Sequence, residues 1–223
     1  MSAAPHPVFV AGPLLGRGLF SAQVERFEGA THLETLDRAE TTGLTEWLAS
    51  ELAATPHPRA VIGHGLGAVA ALQLAAARPE LIDGLMLIGL GVETRVPTTD
   101  RDVDRIVEAA FADSAAPEAG RVRGALGELH DDLLQEALSS WAALDLAGRL
   151  AAVEQPTLLV AGGQDRLVPL EGAEELARER ADAGLAVLPA AGHASPVEAS
   201  AAIDLLAAAF LARLELALAE GAG

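Results

Sequence analysis

Two residues that could transfer a proton, Asp165 and His193, each follow a short apolar run in the last third of the chain. The runs, Thr157–Ala161 and Leu185–Pro189, predict buried strands of a parallel sheet. Because the carboxyl ends of parallel strands lie at one edge of a sheet, we expect the Asp165 carboxylate to face the His193 imidazole. A carboxylate that orients an imidazole provides a general acid–base pair.

A glycine-rich turn lies earlier in the chain, between another apolar run and a helix rich in Ala and Leu. It reads Gly63-His64-Gly65-Leu66-Gly67. Glycines at such a turn allow positive φ and a close approach of strand and helix. The turn is too short for the dinucleotide fingerprint G-x-G-x-x-G, and only 3% of the residues are aromatic and able to stack on a flavin. The sequence therefore predicts no organic cofactor.

The amino-acid composition excludes several other kinds of reactive group. The chain has no Cys, and all 15 of its cations are Arg, which excludes thiol nucleophiles, disulfides, Cys-ligated metals and Schiff-base lysines. Proton transfer by an imidazole needs no metal, and we expect none. A net charge of −17 opposes binding to nucleic acid or to an anionic membrane. The expected partner is a small-molecule substrate.

The three segments, in this order along the chain, resemble the α/β-hydrolase family. In that family the turn between strand and helix is a nucleophile elbow with the pattern G-x-S-x-G. Gly63 and Gly67 match the flanking glycines, but Gly65 stands where the nucleophilic serine is expected. By the same resemblance, Asp165 falls at the position of the catalytic acid and His193 at that of the catalytic base.

The resemblance also implies which backbone groups would stabilise an oxyanion. One is the N–H of Leu66, directly after the vacant nucleophile position. The other falls on Pro13, which has no N–H to donate. Loss of one such donor typically costs roughly 2.7–4 kcal/mol of transition-state stabilisation. Ordinary serine-esterase turnover is therefore excluded by the missing hydroxyl and further weakened by the missing donor.

The leading hypothesis is a cofactor-free enzyme in which His193, oriented by Asp165, transfers a proton on a small, mostly apolar substrate. Lyase, cyclase and isomerase chemistry, and hydrolysis by water beside Gly65, would all use this step in small-molecule metabolism. Two alternatives stay open: a serine ester or thioester hydrolase inactivated by the replacement of its nucleophile, and a non-catalytic ligand-binding protein. Glycine also suits a turn of positive φ, so drift after loss of activity is a further explanation of Gly65.

Short apolar runs alternate with helical periodicity along the 223 residues, which predicts an α/β domain with a mostly parallel sheet of about six strands flanked by helices. The predicted strands are Pro7–Ala11, Thr31–Leu36, Ala60–Gly63, Leu85–Gly89, Thr157–Ala161 and Leu185–Pro189. Helical periodicity marks Phe20–Phe27, Thr45–Ala54, Leu66–Ala77, Leu170–Ala181 and Pro196–Ala219. The last of these helices is long and apolar and could extend the interface of a homodimer.

Residues 92–153 break the alternation, because they contain helical periodicity but no good strand. We interpret residues 1–91 and 154–223 as the core domain and residues 92–153 as a helical lid inserted above the carboxyl ends of the strands. The residues expected to line the substrate pocket and lid are His64, Phe111, His130, Leu134, Leu138 and Trp141. No signal-peptide pattern opens the chain and charges interrupt its apolar runs, so the sequence predicts a cytoplasmic location.

Overall fold

A computed structural model of the chain describes residues 3–12, 15, 18–35, 41–95, 103–128 and 144–221. The strands in this part of the chain are β1 (His6–Ala11), β2 (Thr31–Glu34), β3 (Arg59–His64), β4 (Gly84–Ile88), β5 (Thr157–Gly162) and β6 (Gly184–Leu188). They form one sheet in the order β2-β1-β3-β4-β5-β6, and each neighbouring pair is parallel. The fold class predicted from the sequence is confirmed.

Helices connect and cover the strands. Those of the described residues are α1 (Ser21–Arg26), α2 (Thr41–Ala53), α3 (Leu66–Ala77), α4 (Val103–Ala110), α5 (Pro117–Glu128), α6 (Leu146–Ala151), α7 (Leu170–Arg178), α8 (Ser195–Glu198) and α9 (Ser200–Gly221). The predicted final helix is divided at Ala199 into α8 and α9. None of the helices that the structure describes is long and apolar enough to cross a membrane.

Alternate side chains of β1, β3, β4, β5 and β6 pack in two apolar clusters, one on each face of the sheet, whereas β2 contributes only Leu33 to one of them. Along β3, Val61 packs in the cluster that α2, α3, α6 and α7 share. Ala60 and Ile62 pack in the opposite cluster, with residues of α4, α5 and α9. Both faces of β3 are buried, which explains why its sequence is continuously apolar rather than alternating.

Helix α3 lies directly on the sheet because its sequence provides small, uncharged residues. It is buried from Leu66 to Ala75 and contains no charged residue. Its second residue, Gly67, lies so close to β1 that a Cβ there would be 2.3 Å from the carbonyl oxygen of Val10. The glycine of the turn is therefore required by the approach of strand and helix.

The strand order brings the chemically interesting loops to one edge. Because β1 lies between β2 and β3, the connections leave in opposite directions at the boundary between β1 and β3, and open parallel sheets bind ligands at such a switch point. Gly65 follows β3 at this boundary, whereas Asp165 follows β5 and His193 follows β6 on the same edge of the sheet.

Between β4 and β5, the described residues contain α4, α5 and α6 and no strand. Helices α4 and α5 bury Ile106 and Val122 in the cluster shared with α9. Helix α6 buries Leu146 and Leu150 in the opposite cluster, beside α3. The segment predicted as a lid, residues 92–153, thus contains helices from both faces of the sheet, and its function as a lid stays a prediction.

Candidate active site

The side chains of His193 and Asp165 form a buried hydrogen-bonded pair at the carboxyl edge of the sheet. His193 Nδ1 lies 2.8 Å from Asp165 Oδ2, and the two side chains are 0% and 1% exposed, respectively. The other oxygen, Asp165 Oδ1, accepts hydrogen bonds from the backbone N–H groups of Leu167 at 2.9 Å and Val168 at 2.8 Å. Because both carboxylate oxygens accept, Nδ1 of His193 carries the proton and Nε2 is the nitrogen left for proton exchange. Nε2 is itself buried in this structure, so a substrate reaches it only if the surrounding loops move.

His64, at the end of β3, supports the loop that contains His193. Its Nε2 lies 2.8 Å from the carbonyl oxygen of His193, and the centroids of the two rings are 4.6 Å apart. Burial and the neighbouring His193 lower the pKa of His64 to about 3, although the bond to the His193 carbonyl opposes this shift. His64 is therefore neutral at physiological pH and donates its Nε2–H to that carbonyl.

The backbone at Gly65 has the positive φ expected of an elbow, with φ 55° and ψ −123°. Its N–H donates to the carbonyl of Ile88 at 3.0 Å, and its carbonyl accepts from the N–H of Val69 at 3.0 Å. The turn is thus fixed between β4 and the first turn of α3. A non-glycine residue is strained at this φ, which matches the strained nucleophile position of an elbow.

The end of β1 lies against the first residue of α3. Leu66 begins that helix, so its N–H has no carbonyl partner within the helix. A Cβ on Gly12 would lie 3.0 Å from Leu66 N and 3.1 Å from the carbonyl oxygen of His64. The close approach leaves the Leu66 N–H at the boundary between β1 and β3. Pro13, the second position implied for an oxyanion donor, lies outside the described residues.

Gly89, which sequence reasoning did not single out, brings the end of β4 into the site. Its φ is 64°, and a Cβ there would lie 2.9 Å from Cε1 and 3.0 Å from Nδ1 of His193. The same atom would lie 3.3 Å from His64 Nε2. A side chain at position 89 would therefore displace the imidazole. The available sequence signal is a glycine at the end of a predicted strand.

Glu198 and Arg166 were also missed, although both lie close to the pair in sequence. The Glu198 carboxylate accepts from the backbone N–H groups of Gly192 and Ala112, and the Arg166 guanidinium donates to the carbonyls of Glu108 and Phe111. All four partners are backbone groups, so no pattern of side-chain types in the sequence indicates these bonds.

A cavity of about 360 Å³ lies between α5, the segment that precedes α1, and the chain after His193. Its apolar lining includes Leu15, Leu19, Val122, Pro196 and Val197. The polar groups at its wall include the paired Glu118 and Arg121 side chains, which lie 3.3 Å apart. This cavity is large enough for a small ligand, and its wall is about equally polar and apolar.

A second cavity, of about 460 Å³, is lined by three arginines, Arg95, Arg105 and Arg166, together with Glu108, Ala109 and Ser114. In the described part of the chain, neither cavity has Gly65, Asp165 or His193 in its lining.

The residues that the sequence predicts to line the substrate pocket line neither of these cavities or lie outside the described residues. Phe111 is 0% exposed and packs in the cluster shared with α9, and His64 is 1% exposed beneath the His193 loop. Both residues pack internally and line neither described cavity. His130, Leu134, Leu138 and Trp141 lie outside the described residues. Within residues that the structure describes, no group of three or more His, Cys, Asp or Glu side chains could hold a metal ion.

Residues 4–209, which include all three segments, match a family model described as "Alpha/beta hydrolase family". A protein of Variovorax paradoxus named "Putative carbamate hydrolase RutD" is 30% identical over 185 residues, which cover 73% of this chain and 70% of that protein. Pimeloyl-[acyl-carrier protein] methyl ester esterase of Xanthomonas oryzae pv. oryzae is 27% identical over 224 residues, 85% of this chain and 88% of the esterase.

The solved structure of a hydrolase from Pseudomonas aeruginosa PA01 is similar with a TM-score of 0.78, at 21% identity over 94% of this chain and 91% of that one. At this identity the likeness shows a shared fold.

Proposed function

Since the chain belongs to the alpha/beta hydrolase family, we propose that it hydrolyses a small ester or carbamate with a water molecule in place of the serine nucleophile. The observation that carries the proposal is the buried 2.8 Å bond between His193 Nδ1 and Asp165 Oδ2, beside an elbow whose residue 65 has no hydroxyl. Relatives named for carbamate and methyl ester hydrolysis support the substrate class.

In this mechanism, Nε2 of His193 accepts a proton from water while the water oxygen attacks the carbonyl carbon of the substrate. Asp165 stabilises the imidazolium that forms, because it accepts the hydrogen bond from Nδ1–H. Collapse of the tetrahedral intermediate breaks the bond to the alcohol oxygen, and Nε2–H returns the proton to that oxygen. An ester gives a carboxylic acid and an alcohol, and His193 and Asp165 return to their starting states.

The N–H of Leu66 stabilises the oxyanion of the intermediate. It lies at the positive end of the α3 dipole, and Gly12 keeps the end of β1 close to it without a side chain in between. Pro13 cannot act as a second backbone donor, so transition-state stabilisation is weaker than in a site with two donors. We therefore expect slow turnover even of activated substrates.

We assign the cavity of about 360 Å³ to the acyl or alkyl group of the substrate; His193 is not part of its lining, so the reacting carbonyl must lie outside it, on the side of Pro196. Pro196 and Val197 line it shortly after His193 in the chain, and Val122 of α5 contributes from the opposite side. The apolar part of the wall suits a small acyl or alkyl group, and Glu118 and Arg121 provide polar contacts. In this role α5 is the part of the predicted lid that covers the substrate.

A second candidate is a ligand-binding protein that performs no chemistry. The observation in its favour is the burial of the pair, since the side chains of His193 and Asp165 are 0% and 1% exposed and line neither described cavity. The same proton transfer would also serve lyase, cyclase or isomerase chemistry, but the relatives named for hydrolysis favour water as the attacking group.

The test measures hydrolysis of p-nitrophenyl acetate and p-nitrophenyl N-methylcarbamate by the wild type and the His193→Gln variant. Loss of a general base lowers kcat by about 10²–10⁴-fold, so we expect at least a hundredfold decrease in the variant. His32→Gln is the matched control, because His32 lies on the edge strand β2, away from the pair. Mass spectrometry of the wild type during turnover should show no acyl adduct.

Three results contradict the proposal: turnover that survives His193→Gln, an acylated wild-type protein, and binding of the probes without any hydrolysis. Gly65→Ser distinguishes the alternative of an inactivated serine hydrolase. A large gain in esterase activity would support that alternative, whereas we expect no gain because one oxyanion donor is missing.

A further inference from the structure

The backbone of residues 108–112, at the end of α4 and just beyond it, is hydrogen-bonded to both loops of the His193–Asp165 pair. The N–H of Arg166 donates to the carbonyl of Ala109 at 3.2 Å, and the N–H of Ala194 donates to the carbonyl of Ala110 at 3.1 Å. These two donors directly follow Asp165 and His193 in the chain. One short segment of the insertion therefore contacts the residue after each member of the pair.

Glu198 joins the same segment to the residue before His193. Its Oε1 accepts from the N–H of Ala112 at 2.6 Å, and its Oε2 accepts from the N–H of Gly192 at 2.8 Å. A Cβ on Gly192 would lie 2.4 Å from the carbonyl oxygen of Ala110, so the loop and the segment are in direct backbone contact. The carboxylate thus bridges two backbone stretches that approach each other where Gly192 leaves space.

Arg166 forms hydrogen bonds to the other side of the segment. Its guanidinium donates to the carbonyl of Glu108 and, at 2.9 Å, to that of Phe111. These carbonyls lie at the C-terminal end of α4, where the helix leaves its last carbonyl groups without intrahelical partners and attracts a cation. Residues adjacent to Asp165 and His193 therefore hold this segment from both sides.

We propose that Glu198 is a positioning residue, which holds His193 at bonding distance from Asp165 by bridging Gly192 to residues 108–112. The insertion between β4 and β5 thereby helps to hold the pair in place. Displacement of α4 would loosen both the loop that contains Asp165 and the loop that contains His193. The expected loss of hydrolysis rests on the proposed function. The expected loosening of the His193 imidazole does not.

The bridge requires a carboxylate. Each of its oxygens meets a backbone N–H, and an ionised carboxylate presents acceptors at both. A glutamine of the same length presents an acceptor at one position and an NH₂ donor at the other, so one N–H loses its partner and meets a second donor. Burying a donor without a partner is costly, and the loop relieves this cost by moving.

The test compares the wild type with Glu198→Gln by NMR of ¹⁵N-histidine-labelled protein. The resonance of His193 Nδ1–H is assigned by its loss in His193→Gln. We expect exchange of this proton with water to be at least tenfold faster in Glu198→Gln, with kcat for p-nitrophenyl acetate at least tenfold lower and KM little changed. Glu215→Gln is the control, since Glu215 is an exposed residue of α9 and should change none of these quantities.

An unchanged Nδ1–H exchange rate in Glu198→Gln overturns the proposal, even if kcat falls, because Glu198 would then act in another way. If the exchange rate rises but neither protein hydrolyses the probes, the positioning role stands and the proposed function fails. If Glu198→Gln does not fold, Glu198→Asp provides the same measurement, since it keeps the carboxylate but is one methylene too short to reach both Gly192 and Ala112. Unaltered exchange in that variant also overturns the proposal.

Discussion

The imidazole of His193 is fixed by residues from three different elements. Asp165, after β5, accepts from Nδ1 at 2.8 Å, and His64, at the end of β3, bonds the His193 carbonyl and packs its ring 4.6 Å away between centroids. Gly89, after β4, leaves the space that the ring occupies, because a Cβ there would lie 2.9 Å from Cε1 of His193. Since this distance is shorter than any ordinary van der Waals contact, a single methyl group at position 89 is enough to change the geometry of the pair.

Gly89→Ala adds that methyl group at φ 64°, where it would lie 2.9 Å from His193 Cε1. The left-handed backbone alone costs a non-glycine residue roughly 1–2 kcal/mol. We expect this loss of stability together with at least a tenfold decrease in the rate of p-nitrophenyl acetate hydrolysis, because the ring must move away from Asp165. Urea denaturation and steady-state kinetics measure the two effects.

Gly29→Ala is the matched control for Gly89→Ala. Gly29 has φ 79°, and a Cβ there would meet nothing within 4 Å. It should therefore show the same backbone cost with unchanged hydrolysis. Equal activity of the two variants would mean that crowding at position 89 does not affect the imidazole.

At the scale of elements, the approach of α3 to β1 and β3 determines where the elbow lies. Gly67 sets this distance, because a Cβ there would lie 2.3 Å from the carbonyl oxygen of Val10. Helix α5 differs, since its glycines Gly120, Gly124 and Gly127 are exposed and a Cβ on any of them would meet nothing within 4 Å. Glycine is required by packing in α3 but only lowers helix stability in α5.

Gly67→Ala should therefore destabilise the protein by about 3 kcal/mol, the upper end of the usual cost of overpacking, since the added atom meets backbone that cannot easily move. Gly124→Ala should stabilise it by about 0.5–1 kcal/mol, because alanine is the better helix former at an exposed position. Thermal and urea denaturation of the two variants measure these opposite effects. A loss of stability in Gly124→Ala, or a neutral Gly67→Ala, would contradict the packing described for the two helices.

At the scale of the whole molecule, stability depends on two apolar clusters and on a neutral histidine between the loops. The clusters cover both faces of the sheet, and His64 is 1% exposed at its carboxyl edge. Helix α9 buries Ile203 and Leu214, whereas its Leu205 and Leu216 are 73% and 66% exposed. A homodimer through this helix stays a prediction.

The pKa of about 3 for His64 makes the stability of the fold depend on pH. In the unfolded chain the imidazole gains a proton below its ordinary pKa of about 6.5, but in the folded protein it stays neutral down to about 3. The free energy of unfolding therefore falls as pH decreases from about 6.5 towards 3, by about 1.4 kcal/mol per pH unit. Above about pH 6.5 this contribution is fully present.

His64→Gln removes the titrating group and keeps a side-chain N–H for the His193 carbonyl. Between pH 7.5 and pH 5, we expect the free energy of unfolding to fall by about 2 kcal/mol less in the variant than in the wild type. Urea denaturation at the two pH values measures this difference, and the acidic residues affect both proteins alike. The same pH dependence in both proteins would show that His64 is not held neutral.

Sequence patterns predict the fold class, the order of the strands along the chain, and the chemistry available at residues 65, 165 and 193. Apolar runs and glycine-rich turns are local features, and parallel strands bring their carboxyl ends to one edge, so the meeting of Asp165 and His193 follows from local patterns. The strand boundaries differ by a residue or two, as for Gly89, which ends a predicted strand but forms a turn.

The other residues that surround the pair can be identified only in the folded structure. Phe111 packs in a core cluster rather than against either described cavity, and Glu198 bonds a backbone group that lies 86 residues away in the chain. Gly89 acts by lacking a side chain where the ring of His193 lies. These roles arise from contacts between distant parts of the chain and from backbone partners, and neither leaves a periodic pattern in the sequence.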